Sequence, residues 1–296
     1  MTSALPFHIK HPSDKHNQNH LEANKISLEH VQKVNRTTLK SVNNWIHRED
    51  WNSPPSLFNY GLPNDVYHLI NADVSSELTE VDLLCYFLTL LQNPICYLEI
   101  GVSVGKTFYQ VVEFISSFNI SQCSIHALDI ERINPILKDL ISKKSKHVLE
   151  SSSQPNNEHC IIQKEKNTTT KWLLENDNEV TYYEANEFDE TVWKSMQKKY
   201  NVIFSDALHE PSALLQEYKQ LKQNGSIDFK QFIYCFDDLE ERHGPMWQAV
   251  IQIYNDMKTL SPTPLYIHHY VVNGWLGNNE YPHNFGVLTN VILPAL

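Results

Sequence analysis

The sequence predicts a doubly wound α/β domain on a mostly parallel sheet of seven strands, with helices on both faces and a helical cap at the N-terminus. The pattern of apolar residues along the chain predicts this class. Short runs of apolar and β-branched residues alternate with stretches in which apolar residues recur at three- and four-residue spacing, as in buried strands and amphipathic helices. The clearest case is the stretch 95–118, where a buried strand, a turn containing Gly101 and Gly105, and a helix follow one another directly.

The length and charge of the chain limit the classes of protein to which it can belong. Its 296 residues suffice for one large α/β domain and a smaller appendage. The formal net charge of −11 argues against a general binder of nucleic acids or anionic membranes, since both need a basic face. No apolar run is long enough to span a bilayer, and the polar N-terminus does not resemble a signal peptide. We therefore expect no nucleic-acid or membrane partner.

The cysteines indicate an intracellular protein. They are odd in number, widely spaced and without a C-x-x-C pair: Cys85, Cys96, Cys123, Cys160 and Cys235. Three of them lie in apolar runs typical of strands. We therefore expect reduced, buried thiols and a cytoplasmic location.

The first 93 residues divide into a tail and a cap. Residues 1–24 are polar and His-rich without a recognised metal-ligand pattern, and we expect them to be disordered. Residues 25–93 contain two helical patterns, separated by a break at Ser53-Pro54-Pro55. We interpret this region as an N-terminal helical cap on the main domain, 94–296.

The main domain begins with the strand and helix of 95–118 and continues with alternating elements. Six further strands are predicted, at 124–130, 180–185, 200–208, 232–239, 265–272 and 285–293. The last two are expected to form an antiparallel closing pair. Residues 131–178 are interpreted as a helix near Pro135 followed by a polar surface insertion, with a short helix around 171–174.

The spacing of the glycines in the turn separates three classes of ligand. A phosphate-binding P-loop needs G-x-x-x-x-G-K-[ST]; Gly105-Lys106-Thr107 supplies its end, but Gly101 is one residue too close. A dinucleotide fingerprint needs G-x-G-x-x-G, which Ser103 and Lys106 interrupt. What remains is E-I-G-x-x-x-G-x-T, with Glu99 at the end of the strand. A tight turn that binds no ligand is the alternative.

This pattern resembles motif I of class I S-adenosylmethionine (SAM) methyltransferases. It is especially similar to the metal-dependent O-methyltransferases related to the catechol and caffeoyl-CoA enzymes, in which E-[LI]-G-x-x-x-G-x-[ST] is the usual form. The resemblance implies a Rossmann-like fold with SAM as the cofactor. Asp129 ends the second strand, where this fold holds a ribose hydroxyl pair. The implied cofactor-binding residues are Glu99, Gly101, Ser103, Gly105, Thr107 and Asp129.

Acidic residues follow several of the predicted strands. They are Glu99, Asp129, Asp206, Asp237 and Asp238. In open α/β sheets, ligands bind at the carboxyl ends of the strands, so we expect these side chains to share one edge. Carboxylates crowded together repel each other unless they hold a cation or bind a ligand. Asp206, Asp237 and Asp238 therefore predict an oxygen site for a hard divalent cation, most simply Mg²⁺.

His209 is the candidate general base. The resembled family has D-A-x-K after the fourth strand and an Asp-Asn pair after the fifth, whereas this chain has D-A-L-H and Asp-Asp. Some sugar O-methyltransferases of the macrocin type use a histidine at the lysine position. A cation held by Asp206 would lower the pKa of His209 and keep its imidazole neutral. The structural alternatives are that Asp238 only caps the turn before Gly244 and that His209 only bonds a backbone carbonyl.

The function implied is SAM-dependent O-methylation of a small-molecule hydroxyl, of catechol or vicinal diol type, with a divalent cation orienting the acceptor. Two alternatives stay open. Gly105-Lys106-Thr107 and the stretch FIYCFDD are compatible with a P-loop NTPase, and a non-catalytic SAM-fold module is compatible with the long insertion. The sequence identifies neither the acceptor nor the oligomeric state, and it leaves a homo-oligomer open.

Overall fold

The computed structural model describes residues 26–41, 78–92, 94–153, 166–239, 245–273 and 282–294. Within them the chain forms one sheet of nine strands in the order β3-β4-β5-β2-β1-β6-β7-β9-β8, with seven helices. No helix in this part of the chain is long and apolar enough to cross a membrane.

The elements follow one another in the alternation that the sequence predicts for the main domain. The helices are α1 (Leu28–Ser41), α2 (Glu80–Leu88), α3 (Lys106–Ser117), α4 (Pro135–Ser142), α5 (Glu190–Met196), α6 (Pro211–Gln223) and α7 (Met246–Leu260). The strands are β1 (Cys96–Ile100), β2 (Ser124–Asp129), β3 (Ser145–Ser153), β4 (Asn167–Leu174), β5 (Glu179–Glu184), β6 (Val202–Ser205), β7 (Ile233–Phe236), β8 (Tyr266–Asn273) and β9 (Pro282–Thr289).

The five central strands are parallel and carry the candidate site. β1 pairs with β2 on one side and with β6 on the other, so the chain changes direction across the sheet beside β1. Such a switch point opens a crevice at the carboxyl ends of the strands. We call this edge of β5, β2, β1, β6 and β7 the carboxyl rim. Every acidic residue singled out from the sequence lies on it or one to two residues beyond it.

Helices cover both faces of the sheet because successive side chains of each strand point to opposite faces. On β1, Tyr97 belongs to a core cluster that includes residues of α1, α2, α3 and α4. Leu98 belongs to a second cluster that includes residues of α5, α6 and α7. The predicted doubly wound arrangement is therefore present, and the predicted antiparallel closing pair is the β8–β9 pair.

The predicted count of seven strands is wrong, because the described residues form nine. The two additional strands, β3 and β4, form an antiparallel pair within the segment interpreted as a polar surface insertion. The short helix expected around 171–174 is the end of β4, in which Thr170, Trp172 and Leu174 are buried while Lys171 is exposed. This period of two indicates a strand, and a run of β-branched threonines precedes it. Residues 154–165, the remainder of the insertion, lie outside the described residues.

The two N-terminal helices pack beside α3. Asn35 on α1 donates a hydrogen bond from Nδ2 to Oδ1 of Asp82 on α2, at 2.9 Å. Thr79 and Asp82 form a capping box that fixes the start of α2. These helices share the core cluster of α3 and β1, so the helical cap shares its packing with the main domain. The predicted tail, 1–24, and the central part of the cap, 42–77, lie outside the described residues.

Candidate active site

The turn between β1 and α3 requires glycine at both of its predicted glycine positions. Gly101 and Gly105 have φ values of 81° and 86°, in the left-handed region. A Cβ added to Gly101 would lie 2.1 Å from the carbonyl oxygen of Asp206, and one added to Gly105 would lie 2.4 Å from Cδ2 of Leu137. Gly101 therefore lets the turn pack directly against the chain that leaves β6, which brings the turn next to Asp206.

Asp129, at the end of the neighbouring strand β2, accepts hydrogen bonds from the backbone of this turn. Its Oδ2 accepts hydrogen bonds from the backbone nitrogens of Val102 at 2.6 Å and Ser103 at 2.8 Å. Its Oδ1 accepts one from the backbone nitrogen of Glu131 at 2.7 Å. A carboxylate offers about four lone-pair sites, and backbone N–H groups occupy three of them here. Asp129 thus holds the turn in shape, and only part of its accepting capacity remains for a ligand.

Glu99 is buried at the end of β1, with 1% of its surface exposed. Tyr97, two residues earlier on the same face, donates a hydrogen bond from its hydroxyl to Oε2 of Glu99 at 2.5 Å. Burial raises the pKa of Glu99 well above its usual range; the bond from Tyr97 opposes the shift, and the charges of Asp206 and Asp129 add to it. A positively charged or hydrogen-bond-donating ligand would relieve this cost.

The first turn of α3 holds Lys106 and Thr107, the residues after the second glycine. Both are buried, and burial lowers the pKa of Lys106 to about 8. Thr107, a predicted cofactor residue, stands where the unpaired N–H groups of a helix start attract a carboxylate or another anion. Its position fits that role, while the charge of Lys106 is disfavoured by its burial.

His209 connects Asp206 and Asp238. Its Nε2 lies 3.3 Å from Oδ1 of Asp206, and its Nδ1 lies 3.1 Å from Oδ2 of Asp238. Both ring nitrogens donate only in the imidazolium form. Burial lowers the pKa of His209, but the hydrogen bonds to Asp206 and Asp238 outweigh it and raise the pKa to about 10. The shift is opposite to the one expected beside a bound cation.

Asp206, Asp237 and Asp238 are close enough to influence one another. Burial raises the pKa of Asp206 to about 7; the charge of Asp237 adds to the shift, contacts with His209 oppose it, and Asp238 adds a smaller part. The backbone nitrogen of Asp237 donates to the carbonyl oxygen of Ser205 at 3.0 Å, which continues the β6–β7 pairing. Asp238 has a φ of 51°, a conformation that costs free energy in a non-glycine residue.

The predicted metal ligands fit a hard cation by donor type but not by arrangement. The three carboxylates supply the oxygen donors that Mg²⁺ prefers. In the described part of the chain, however, no group of three or more His, Cys, Asp or Glu side chains is arranged to hold a metal ion. The ring of His209 contacts two of the three carboxylates. A cation at this place would therefore have to compete with the imidazole for Asp206 and Asp238.

Two acids near the site, the half-buried Glu187 and the buried Glu217, were not singled out from the sequence. Burial raises the pKa of Glu187, which follows β5, well above its usual range; the charges of Glu217 and Asp129 add to the shift and His209 opposes it. Glu187 therefore lies near both the turn and His209. Glu217 lies on α6 and is 2% exposed. Its sequence signal was its place between Leu214 and Leu221, on the apolar face of that helix.

Glu184, the last residue of β5, and Asn186 lie at the carboxyl rim and are partly engaged within the protein. Oδ1 of Asn186 accepts a hydrogen bond from the backbone nitrogen of Phe188 at 2.8 Å. Oε1 of Glu184 accepts one from the backbone nitrogen of Ile133 at 3.0 Å, which holds the chain that leaves β2. The bond to Asn186 uses its side-chain oxygen, so its amide N–H groups can still donate hydrogen bonds to an acceptor atom of a ligand.

Comparisons with known proteins give structural neighbours but no sequence relatives. No family model and no curated protein matches the chain. The SAH-bound methyltransferase PaMTH1 of Podospora anserina superposes with a TM-score of 0.40 and 12% identity, over 77% of this chain and 88% of that one. The O-methyltransferase TomG of Streptomyces achromogenes, in complex with SAM and involved in tomaymycin synthesis, gives 0.41 and 11%, over 83% and 99%. At these scores and identities the neighbours by themselves assign no function to this chain.

Proposed function

We propose that this chain is a SAM-dependent methyltransferase that acts on a hydroxyl oxygen of a small molecule. The observation that carries the proposal is the turn at Gly101 and Gly105, which is held against Asp129 at the switch point of a parallel sheet. Next to it on the carboxyl rim stand a basic side chain, His209, and several carboxylates. A cofactor cradle beside an acid–base group is what methyl transfer to oxygen needs.

The cofactor half of the site would bind SAM through the residues of the turn. The bare backbone at Gly101 and Gly105 allows close approach, Ser103 and Thr107 offer hydroxyl groups, and Glu99 and Asp129 offer carboxylates. A cofactor with a sulfonium and an ammonium group suits an acidic rim. SAM supplies an activated methyl group, so the protein has to align the acceptor with it and to manage one proton.

The proton would be managed by His209. Its imidazole lies between two carboxylates, which fix the ring in place and stabilise a proton on it. Acting as a base requires the neutral ring, so an acceptor or cation that displaces it from Asp206 or Asp238 would make it competent. The proposed catalytic residue is therefore His209, and whichever of Asp206 and Asp238 stays in contact with the ring would set its orientation.

The finer part of the proposal concerns the acceptor and a divalent cation. Asp206, Asp237 and Asp238 would hold Mg²⁺ only in an arrangement in which Asp206 and Asp238 release the ring of His209. Such a cation would supply Lewis-acid chemistry to adjacent hydroxyl oxygens of an acceptor. A catechol or vicinal diol is therefore the acceptor class that we propose. The support is the donor chemistry and the mutual repulsion of the three carboxylates, which contributes to the raised pKa of Asp206.

The NTPase alternative is disfavoured by the same turn. A P-loop directs its backbone N–H groups at phosphate oxygens. Here the backbone N–H groups of Val102 and Ser103 already donate hydrogen bonds to the carboxylate of Asp129. Phosphate binding would require breaking these bonds and bringing a polyanion close to Glu99 and Asp129.

The experiment that tests the proposal is methyl transfer from SAM carrying a labelled methyl group. The purified protein is incubated with Mg²⁺ and a panel of catechols, vicinal diols and single hydroxyl compounds, and the labelled products are separated. We expect label on an oxygen of a catechol or diol. SAM binding without transfer to any member of the panel would favour the alternative of a non-catalytic SAM-binding module.

A further inference from the structure

A buried carboxylate ties together the three elements that carry the acid–base half of the site. Glu217 is on α6, and its Oε2 accepts a hydrogen bond from the hydroxyl of Ser205 on β6 at 2.8 Å. Its Oε1 accepts a second hydrogen bond from the hydroxyl of Tyr234 on β7. β6 and β7 are neighbouring parallel strands, so one side chain links a helix to two strands of the sheet beneath it.

The linked positions, Ser205 and Tyr234, lie within four residues along the chain of the carboxylates at the strand ends. Ser205 ends β6 and directly precedes Asp206, and Tyr234 lies on β7 shortly before Asp237 and Asp238. The helix α6 begins at Pro211, two residues after His209. Through these contacts Glu217 holds α6, which follows the segment that carries His209, against the two strands whose ends lead to its carboxylate partners.

Packing alone does not explain an acid at this position. Glu217 follows Leu214 and precedes Leu221 on the buried face of α6, where an apolar side chain would fill the space without a desolvation cost. Burial of the carboxyl group raises its pKa to about 7, although the bonds from Tyr234 and Ser205 oppose that shift. The fold retains a costly group that has hydrogen-bond partners on both strands.

We propose that Glu217 is a positioning residue, which holds the ends of β6 and β7 so that His209 stays between Asp206 and Asp238. The inference rests on the proposed function in giving this arrangement a role in methyl transfer. It also predicts which feature of Glu217 matters. A glutamine could accept from Tyr234 with its oxygen and donate to the hydroxyl of Ser205 with its nitrogen, so shape and hydrogen bonding matter more than charge.

The test uses the imidazole ¹⁵N resonances of His209 in the histidine-labelled full-length protein, assigned by their absence from the H209Q variant. These resonances report the hydrogen bonds of the ring and need no methyl acceptor. We expect them to shift in E217A, Y234F and S205A, and to stay near the wild-type positions in E217Q. The matched control is Y200F, which removes another buried tyrosine hydroxyl, bonded to Nδ1 of His126 at 2.8 Å.

Each outcome decides the inference. Wild-type resonances in Y234F and S205A would overturn it, and these two variants also serve if E217A fails to fold. A shift in E217Q as large as in E217A would show that charge and not position is the contribution of Glu217. Titration of the wild-type protein with SAM is run in parallel. If SAM does not bind, the proposed function fails, while the His209 resonances still decide whether Glu217 positions the ring.

Discussion

Oδ2 of Asp238 lies 3.1 Å from Nδ1 of His209, and Asp238 holds this contact from a left-handed backbone with a φ of 51°. A non-glycine residue keeps such a conformation only where its surroundings enforce it. Asp206 contacts the other ring nitrogen of His209. The histidine is thereby joined to the ends of two neighbouring strands, β6 and β7, and a change at either strand should be felt at the ring.

Replacement of His209 by alanine should leave SAM binding nearly intact and slow the chemical step. If His209 is a general base of ordinary strength, the loss should be about 10² to 10⁴-fold. His209→Lys, which restores the residue usual in the resembled family, should retain more activity than alanine. Single-turnover methyl transfer measures the step. His147→Ala, on the exposed strand β3, is the matched control and should behave as wild type. A wild-type rate in His209→Ala would place the base elsewhere.

Replacement of Asp129 by alanine should affect both stability and cofactor affinity. The change removes the acceptor of three backbone N–H groups. Unsatisfied buried donors cost about 1–3 kcal/mol in the free energy of unfolding, which denaturant titration measures. SAM affinity should fall by at least roughly tenfold, about 1.4 kcal/mol, by calorimetry. Asp139→Ala removes an exposed carboxylate paired with Lys143 and should change neither quantity. Unchanged SAM affinity in Asp129→Ala would remove the turn from the cofactor site.

Removal of divalent cations should abolish methyl transfer if Asp206, Asp237 and Asp238 hold Mg²⁺. Activity lost in excess chelator should return on addition of Mg²⁺. Asp237→Asn should raise the Mg²⁺ concentration needed for half-maximal activity, because it removes one negative charge from the site. The measurement is the initial rate as a function of Mg²⁺ concentration. Full turnover in excess chelator would contradict the proposed Mg²⁺ site, but it would not contradict SAM-dependent methyl transfer.

The stability of the protein should depend on pH through Glu217. Its pKa is raised from 4.5 to about 7 on folding, chiefly by burial. The folded state binds the proton of the Glu217 carboxyl group more tightly than the unfolded state does. The resulting stabilisation of the folded state is fully present below pH 4.5 and is lost as the pH rises through 7. The contribution is at most about 3 kcal/mol. Glu217→Gln should flatten the free energy of unfolding over this range in denaturant titrations. An identical pH dependence in wild type and variant would show that the pKa is not shifted.

The sequence predicts those parts of the fold whose signal is local. β1, the turn and α3 are contiguous, and their apolar spacing and glycines suffice to place them. β3 gives no such signal, since all but its first residue are exposed; Leu149, for example, is 69% exposed. Backbone pairing with β4 makes it a strand, and apolar periodicity cannot reveal that. The predicted helix around 171–174 fails because four residues are too few to distinguish periods of 2 and 3.6.

The sequence also places the acids at the strand ends, but not what each of them contacts. Asp129 ends β2 as predicted, yet three backbone N–H groups hold it, and their positions follow from the tertiary fold. The bridge from His209 to Asp238 joins residues 29 positions apart and depends on the β6–β7 pairing. Glu217 could have been noticed as an acid on an apolar helix face. Its two hydroxyl partners could not.

Calorimetric titration of the wild-type protein tests most directly whether the turn at Gly101 and Gly105 binds SAM. SAM, SAH, and ATP with Mg²⁺ are titrated separately into the same preparation, and thermal unfolding is followed with each ligand. We expect a single site for SAM and SAH, with stabilisation of about 2.7 kcal/mol at 100 times the dissociation constant. ATP should give no binding heat and no stabilisation. Saturable binding of ATP with Mg²⁺, without binding of SAM, would contradict the account.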